Sequence, residues 1–294
     1  MEINIEPLID KKTGYFESFD KTPIYYELRG SGQPMVFVYG IACLTNHWHH
    51  QLNFFSKNHQ TLCFDLRGHH KSNPVAHPQD LTLDSLSKDL IGLLEHLNLK
   101  NVVLLGHSFG VPILLESYKK RPDLISKMVF INGFSKNPLV NFLGFNFVDP
   151  SYKFIRAQYE QSPLLWETLW KTAIDNPLSL ILTGILGGFN LNLTHFKDIE
   201  IYLKGVASLE LHIFLRMFEE ILTYNGDDVL KSIQIPTLII SGEKDQVTPP
   251  LYQNEMHQHI RNSELAELKY GSHCCQLDFP EYVNLKIEKF IGAL

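Results

Sequence analysis

The sequence predicts an α/β protein, with a mostly parallel sheet and helices on both faces. Three observations carry that prediction. Short apolar runs recur, at Met35–Tyr39, Val102–Leu105, Lys127–Ile131 and Pro236–Ser241, as in strands buried on both faces. Longer stretches between them place apolar residues at three- and four-residue steps, the period of a helix with one face on a core. Gly, Pro and Asn cluster where one pattern gives way to the next. Strands alternating with helices build a parallel sheet.

Taken in order, Gly14–Phe19 and Ile24–Leu28 flank the turn Asp20-Lys-Thr-Pro and read as an edge hairpin. Met35–Tyr39 is the first parallel strand, and a helical stretch begins at Trp48. Thr61–Asp65 is the next strand and ends in a polar loop, Leu66–Ser72. Residues 82–97 form an amphipathic helix, with Leu83, Leu86, Leu90, Leu93, Leu94 and Leu97 on one face. Val102–Leu105 is followed by a helix over Val111–Lys120, and Lys127–Ile131 by Asn132-Gly133. From Ser135 to Asn225 the strand pattern stops. Aromatic-rich helices are predicted instead at Tyr152–Glu160, Pro163–Ile174 and Leu203–Thr223. The first pattern returns with the strand Pro236–Ser241, a helix at Tyr252–His259, a strand at Glu264–Tyr270 and a helix at Tyr282–Ile291. The expected division is a first core part over 1–134, a helical cap over 135–230, and a second core part over 231–294.

With 294 residues, 44% of them hydrophobic, the chain can bury a large core. A net charge of −6 with no dominant basic patch argues against nucleic acid as a partner. Cys43, Cys63, Cys274 and Cys275 match no zinc spacing or disulfide framework, so free thiols are expected. The start, Met1-Glu-Ile-Asn-Ile-Glu, does not read as a signal peptide. The apolar stretch Leu178–Leu193 is too short and too interrupted to span a bilayer. A soluble, cytoplasmic protein is expected, and its oligomeric state is not legible.

The chemistry centres on Gly106-His107-Ser108-Phe109-Gly110, set between a buried strand and a helix. That context is a nucleophile elbow. A sharp turn lifts Ser108 Oγ above the sheet, and the two glycines remove side chains that would collide there. Asp245 lies in a turn after the strand Pro236–Ser241, and Gly271-Ser272-His273 follows the last strand. Ser, then Asp, then His is the chain order expected of this arrangement. His273 would take the proton of Ser108, and Asp245 would hold the imidazole from its other nitrogen. Glu243 is the weaker candidate for the acid. Two N–H donors are needed for the oxyanion. Phe109 N–H is one and Ile41 N–H, after Tyr39-Gly40, the other, and the loss of either would raise the barrier by on the order of 3 kcal/mol.

With these residues in view, the sequence resembles the α/β-hydrolase fold family, in its ester-hydrolase branch with a helical cap. The resemblance covers about residues 14–133 and 231–294. It rests on Gly106–Gly110, Asp65-Leu-Arg-Gly68, Gly242-Glu-Lys-Asp245 and Gly271-Ser-His273. It implies an eight-stranded, mostly parallel sheet and a serine hydrolase of carboxylic esters or related acyl compounds. No cofactor and no metal are implied, and the expected partner is a small, apolar acyl substrate. The sequence departs from the family at Tyr39, where a histidine is usual, at His70, where the Arg-Gly-x-Gly-x-Ser loop has glycine, and at Val111. Ser108 stands where an epoxide hydrolase or haloalkane dehalogenase would carry aspartate. A perhydrolase, a carbon–carbon bond hydrolase and a ligand receptor that retains the triad remain as alternatives. His47, His49, His50, His69 and His70 match no standard ligand spacing, and no carboxylate pattern accompanies them. They read as helix-facing and loop histidines, Cys43 as a small packing residue, and His107 as packing beside the serine. Trp166, Trp170, Phe189 and Phe214 of the cap read as core more than as pocket lining.

Overall fold

The computed structural model describes residues 11–140, 142–174 and 188–292. Most of Leu178–Leu193, and the first ten residues, fall outside the described residues. Among the described residues no helix is long and apolar enough to cross a membrane.

Eight strands form one sheet in the order β1-β2-β4-β3-β5-β6-β7-β8. They are β1 Lys11–Glu17, β2 Pro23–Arg29, β3 Pro34–Val38, β4 Gln60–Phe64, β5 Val102–His107, β6 Ile125–Ile131, β7 Thr237–Gly242 and β8 Ser263–Leu268. The β1–β2 hairpin pairs antiparallel and joins β4 antiparallel. All pairings from β4 through β3, β5, β6 and β7 to β8 are parallel. The apolar runs account for this split. β3, β5 and β7 are buried at almost every position, as strands covered on both faces must be, whereas β1 is largely exposed.

The helices are α1 His49–Phe55, α2 Leu83–His96, α3 Gly110–Lys120, α4 Val148–Gln161, α5 Pro163–Ile174, α6 Phe196–Ser208, α7 Leu211–Thr223, α8 Asp227–Leu230, α9 Pro250–His259, α10 Cys275–Asp278 and α11 Pro280–Gly292. The leucine face of α2 is buried, and Thr82 caps its start by accepting from Ser85 N–H.

The expected single helix over Leu203–Thr223 is two. Leu209 and Glu210 are extended, and α6 ends before them. The cause is tertiary. Trp170 Nε1 donates to Leu209 O, and the Glu167 carboxylate accepts from the N–H groups of Leu211 and His212. The open start of α7 is thus capped by a side chain of α5, which no local period reveals.

The segment between β6 and β7 leaves and returns at one place. Lys136 and Asn225 form an isolated antiparallel bridge, and Gly226 N–H donates to Ser135 O. All four cysteines are free and buried.

Candidate active site

In a parallel sheet, ligands settle beyond the carboxyl ends of the strands where strand order reverses. Here the chain runs from β3 outward to β4, then returns to β5 on the other side of β3. Ser108 follows β5 and Gly40 follows β3, so both stand at the reversal point. Ser108 has φ +53°, the strained backbone of the elbow, and its N–H donates to Ile131 O. The close approaches at the elbow explain its glycines. A Cβ on Gly110 would lie 2.3 Å from Val38 O, and one on Gly106 would lie 2.9 Å from the Leu114 side chain. Gly110→Ala should push α3 off β3 and displace Ser108. We expect a loss of about 1–3 kcal/mol in stability, read by denaturant unfolding, together with reduced turnover.

Three distant side chains converge at this point. His273 Nε2 lies 2.9 Å from Ser108 Oγ, and His273 Nδ1 lies 2.9 Å from Asp245 Oδ2. Ser108 is 9% exposed, His273 6% and Asp245 3%. Asp245 also accepts from Val247 N–H and Thr248 N–H through Oδ1, and Thr248 Oγ1 lies 2.7 Å from its Oδ2. Glu243 is on the surface, where it accepts from Tyr270 N–H. Among the described residues, neither Phe109 N–H nor Ile41 N–H has a hydrogen-bond partner. A Cβ on Gly40 would come within 3.0 Å of Ser108 Cβ, so glycine there keeps the space beside Ser108 clear.

Several residues that hold this arrangement were not singled out by sequence reasoning. Asn132, fully buried at the end of β6, donates to Ser272 O and His273 O and accepts from Gly242 N–H. It ties the ends of β6 and β7 to the loop that carries His273. Sequence reading gave it only the role of ending a strand. His107 is more than packing. Its Nε2 is 2.8 Å from His273 O, and its Nδ1 is 3.2 Å from His47 Nε2. A carbonyl only accepts, so His107 carries a proton on Nε2. Burial drives the pKa of His47 down to about 3 and that of His107 well below the ordinary value, so both rings stay neutral. The Gln276 amide meets the same Nε2 of His47.

The departures from the family pattern have physical replacements. The Tyr39 hydroxyl donates to Asp65 Oδ1 and accepts from Leu66 N–H, so tyrosine braces the loop after β4. His69 Nε2 accepts from Ala42 N–H, which fixes the loop of Gly40 and Ile41. Burial lowers the pKa of His69 to about 3, as an accepting nitrogen requires. His70 takes a left-handed backbone at φ +43°, a conformation that glycine adopts easily. Its Nε2 contacts Cys43 O and its Nδ1 contacts Ser208 Oγ, which links the loop to α6.

Cys43, His47 and His107 bring ligand atoms close together in the interior. Nitrogens of both rings already serve protein hydrogen bonds, and burial pushes the Cys43 thiol far up, so this cluster acts as a brace. A cavity of about 310 Å³ opens on Ser108 and His273. Its walls include Phe134, Leu139, Phe142, Phe189, Phe214 and Ile221. Phe189 and Phe214 thus line the cavity, whereas Trp166 and Trp170 pack in a separate apolar cluster with Tyr152.

A family model described as alpha/beta hydrolase fold matches residues 33–190, more than half of the chain. The chain belongs to the α/β-hydrolase fold family. Among its α/β-hydrolase relatives is the (E)-2-((N-methylformamido)methylene)succinate hydrolase of Acinetobacter baylyi, 24% identical over 93% of this chain and 95% of that protein. Epoxide hydrolase 3 of Xenopus tropicalis is 26% identical over 87% of this chain and 71% of that protein. An esterase from Exiguobacterium antarcticum has the same fold, with a TM-score of 0.75 at 21% identity, covering 95% of this chain and 99% of that one.

Proposed function

We propose that this α/β-hydrolase is a serine hydrolase that cleaves carboxylic esters of small apolar acids through an acyl-enzyme. The observation that carries the reading is the continuous chain from Ser108 Oγ to His273 to Asp245, at 2.9 Å for each link. A serine hydroxyl is a weak nucleophile, and a base at that distance removes its proton during attack. His273 then returns the proton to the leaving alcohol, while Asp245 stabilises the imidazolium and fixes its orientation. Phe109 N–H and Ile41 N–H are the donors for the oxyanion of the tetrahedral intermediate. Water repeats the sequence in reverse order to release the acid. Ser108 at the elbow favours this reading over epoxide opening, which in this family uses aspartate there.

Residues 135–230 serve as the cap, with Phe142, Phe189, Phe214 and Ile221 supplying an apolar wall over the serine. A cavity of about 310 Å³ is at the small end of ligand sites, which span roughly 300–1,000 Å³. Short to medium acyl chains are therefore the best substrates. A panel of p-nitrophenyl esters of increasing acyl length, run beside lactones and amides, tests this. We expect kcat/KM to rise with the first added methylenes, by severalfold each at about 0.8 kcal/mol per buried CH₂, and to fall once the chain outgrows the cavity. A flat profile would refute the apolar acyl site, and amide turnover exceeding ester turnover would refute the ester assignment.

A further inference from the structure

A second cluster of functional side chains stands apart from the triad. His49 and His50 begin α1, and Asp198 lies in the first turn of α6, almost 150 positions later. His49 Nε2 is 3.2 Å from Asp198 Oδ1, and His50 Nε2 is 2.9 Å from Asp198 Oδ2. Asp198 is only 5% exposed, and among the described residues its carboxylate has no other partner. The carboxylate missing from the sequence pattern around these histidines is supplied by the fold.

The tautomer of His49 is the informative detail. Its Nδ1 is 2.8 Å from Asn46 O. A carbonyl cannot donate, so the proton is on Nδ1. A neutral His49 then presents the bare lone pair of Nε2 to a carboxylate oxygen. That contact is repulsive unless Nε2 takes up a second proton or a metal cation lies between them. The two imidazoles have centroids 3.9 Å apart with planes tilted by 39°, so a positive charge on one ring disfavours a second on the other. One divalent ion resolves the His49 contact without charging either ring, since it takes lone pairs from two neutral rings and balances the buried carboxylate.

We propose that His49, His50 and Asp198 form a binding site for a divalent transition-metal ion, of the zinc or nickel type, that ties α1 to α6. Two imidazoles and a carboxylate suit that class. Ligands at 2.0–2.2 Å around a tetrahedral ion lie about 3.3 Å from one another, and the observed separations approach that value. An Nδ1–H held by a backbone carbonyl is also the usual outer support of a metal-binding histidine. The two rings are partly open to solvent, at 29% and 27% side-chain exposure, which leaves room for water to complete the coordination.

The site bears on the pocket through α6. Two turns after Asp198, a Cβ on Gly205 would lie 2.9 Å from Ala42 O, so this helix packs directly on the loop of Gly40 and Ile41. Tyr202 of the same helix lines the cavity. The ion would pin a wall of the pocket to the core.

Equilibrium dialysis of the metal-stripped, tag-free full chain against zinc tests the proposal, with cobalt absorption reporting the coordination and thermal melting reporting the clip. We expect one ion per chain, a rise in melting temperature with zinc, and tenfold or greater loss of affinity in both His49→Ala and His50→Ala. Asp198→Asn should do the same, and the histidine variants keep the test decisive if loss of the buried carboxylate prevents folding. His195→Ala, at an exposed histidine three positions before Asp198, should bind as the unaltered chain does. Zinc uptake no greater than in a His49→Ala/His50→Ala double variant overturns the proposal and leaves an imidazolium–carboxylate pair. Equal loss in His195→Ala overturns it as well.

Discussion

Ser108→Ala is expected to lower ester kcat by about 10⁴-fold or more while leaving the fold and substrate binding nearly unchanged. The size follows from how the three side chains act. His273 has no proton to take when Oγ is absent, and Asp245 then orients a base without a task, so loss of one member removes the function of all three. The same reasoning gives Asp245→Asn a loss of roughly 10⁴-fold, since an amide can stabilise the wrong imidazole tautomer. His273→Ala combined with Ser108→Ala should therefore be hardly worse than Ser108→Ala alone. The small side chain also leaves stability almost untouched, because among the described residues Ser108 Oγ makes its hydrogen bond to His273 only. Steady-state kinetics with a p-nitrophenyl ester measures the first effect. Labelling by a fluorophosphonate, seen in the unaltered chain and absent in Ser108→Ala, locates the nucleophile. Undiminished hydrolysis by Ser108→Ala would remove the acyl-enzyme mechanism, and an unlabelled parent chain would favour a binding protein over an enzyme.

The residues of the proposed triad were legible as candidates because each carries its own local punctuation. Ser108 sits between a wholly apolar run and an amphipathic helix, and Asp245 and His273 each follow a strand within a Gly-bearing turn. A strand's end marks the same edge of a parallel sheet whichever strand it is, so three one-dimensional signals become one place. The supports of the triad had no such signal. Asn132 looks like any turn residue until the strands pair and bring Ser272 and His273 to its amide. His47 and His107 are 60 positions apart, and their shared hydrogen bond arises only from the fold. The break between α6 and α7 was hidden for the same reason, because Glu167 and Trp170 supply the cap from a neighbouring helix. His70 shows the limit of reading glycine patterns. The backbone keeps the left-handed geometry that glycine makes easy, and two hydrogen bonds of the imidazole offset the strain.

Arg67→Ala should be among the most destabilising single changes in the chain, at about 3–5 kcal/mol. The Arg67 side chain is wholly buried, and its guanidinium meets the Asp89 carboxylate in a two-pronged contact with both distances at 2.7 Å. A third bond, of 2.9 Å, reaches Asp20, and a fourth reaches Asp80 O. Asp20 lies in the β1–β2 turn and Asp89 in α2, so one side chain fastens the edge hairpin and a helix to the loop after β4. Removing it leaves Asp89 nine-tenths or more buried without its countercharge, with only the Ser18 hydroxyl, among the described residues, still donating to it. Lysine cannot reproduce the planar fork, so Arg67→Lys should recover only part of the loss. Arg67→Met combined with Asp89→Leu should be milder than Arg67→Ala, because the Asp89 charge is gone and Asp20 still accepts from the N–H and hydroxyl of Thr22. The effect should also reach the active site. Arg67 precedes the turn that places His69 against Ala42 N–H, so a loosened loop would misplace Ile41 N–H and lower kcat more than it raises KM. Denaturant unfolding measures the stabilities and ester kinetics the second effect. A loss below about 1 kcal/mol in Arg67→Ala would mean that the network is no stronger than an exposed ion pair, and that the loop is held by His69 and Tyr39 without it.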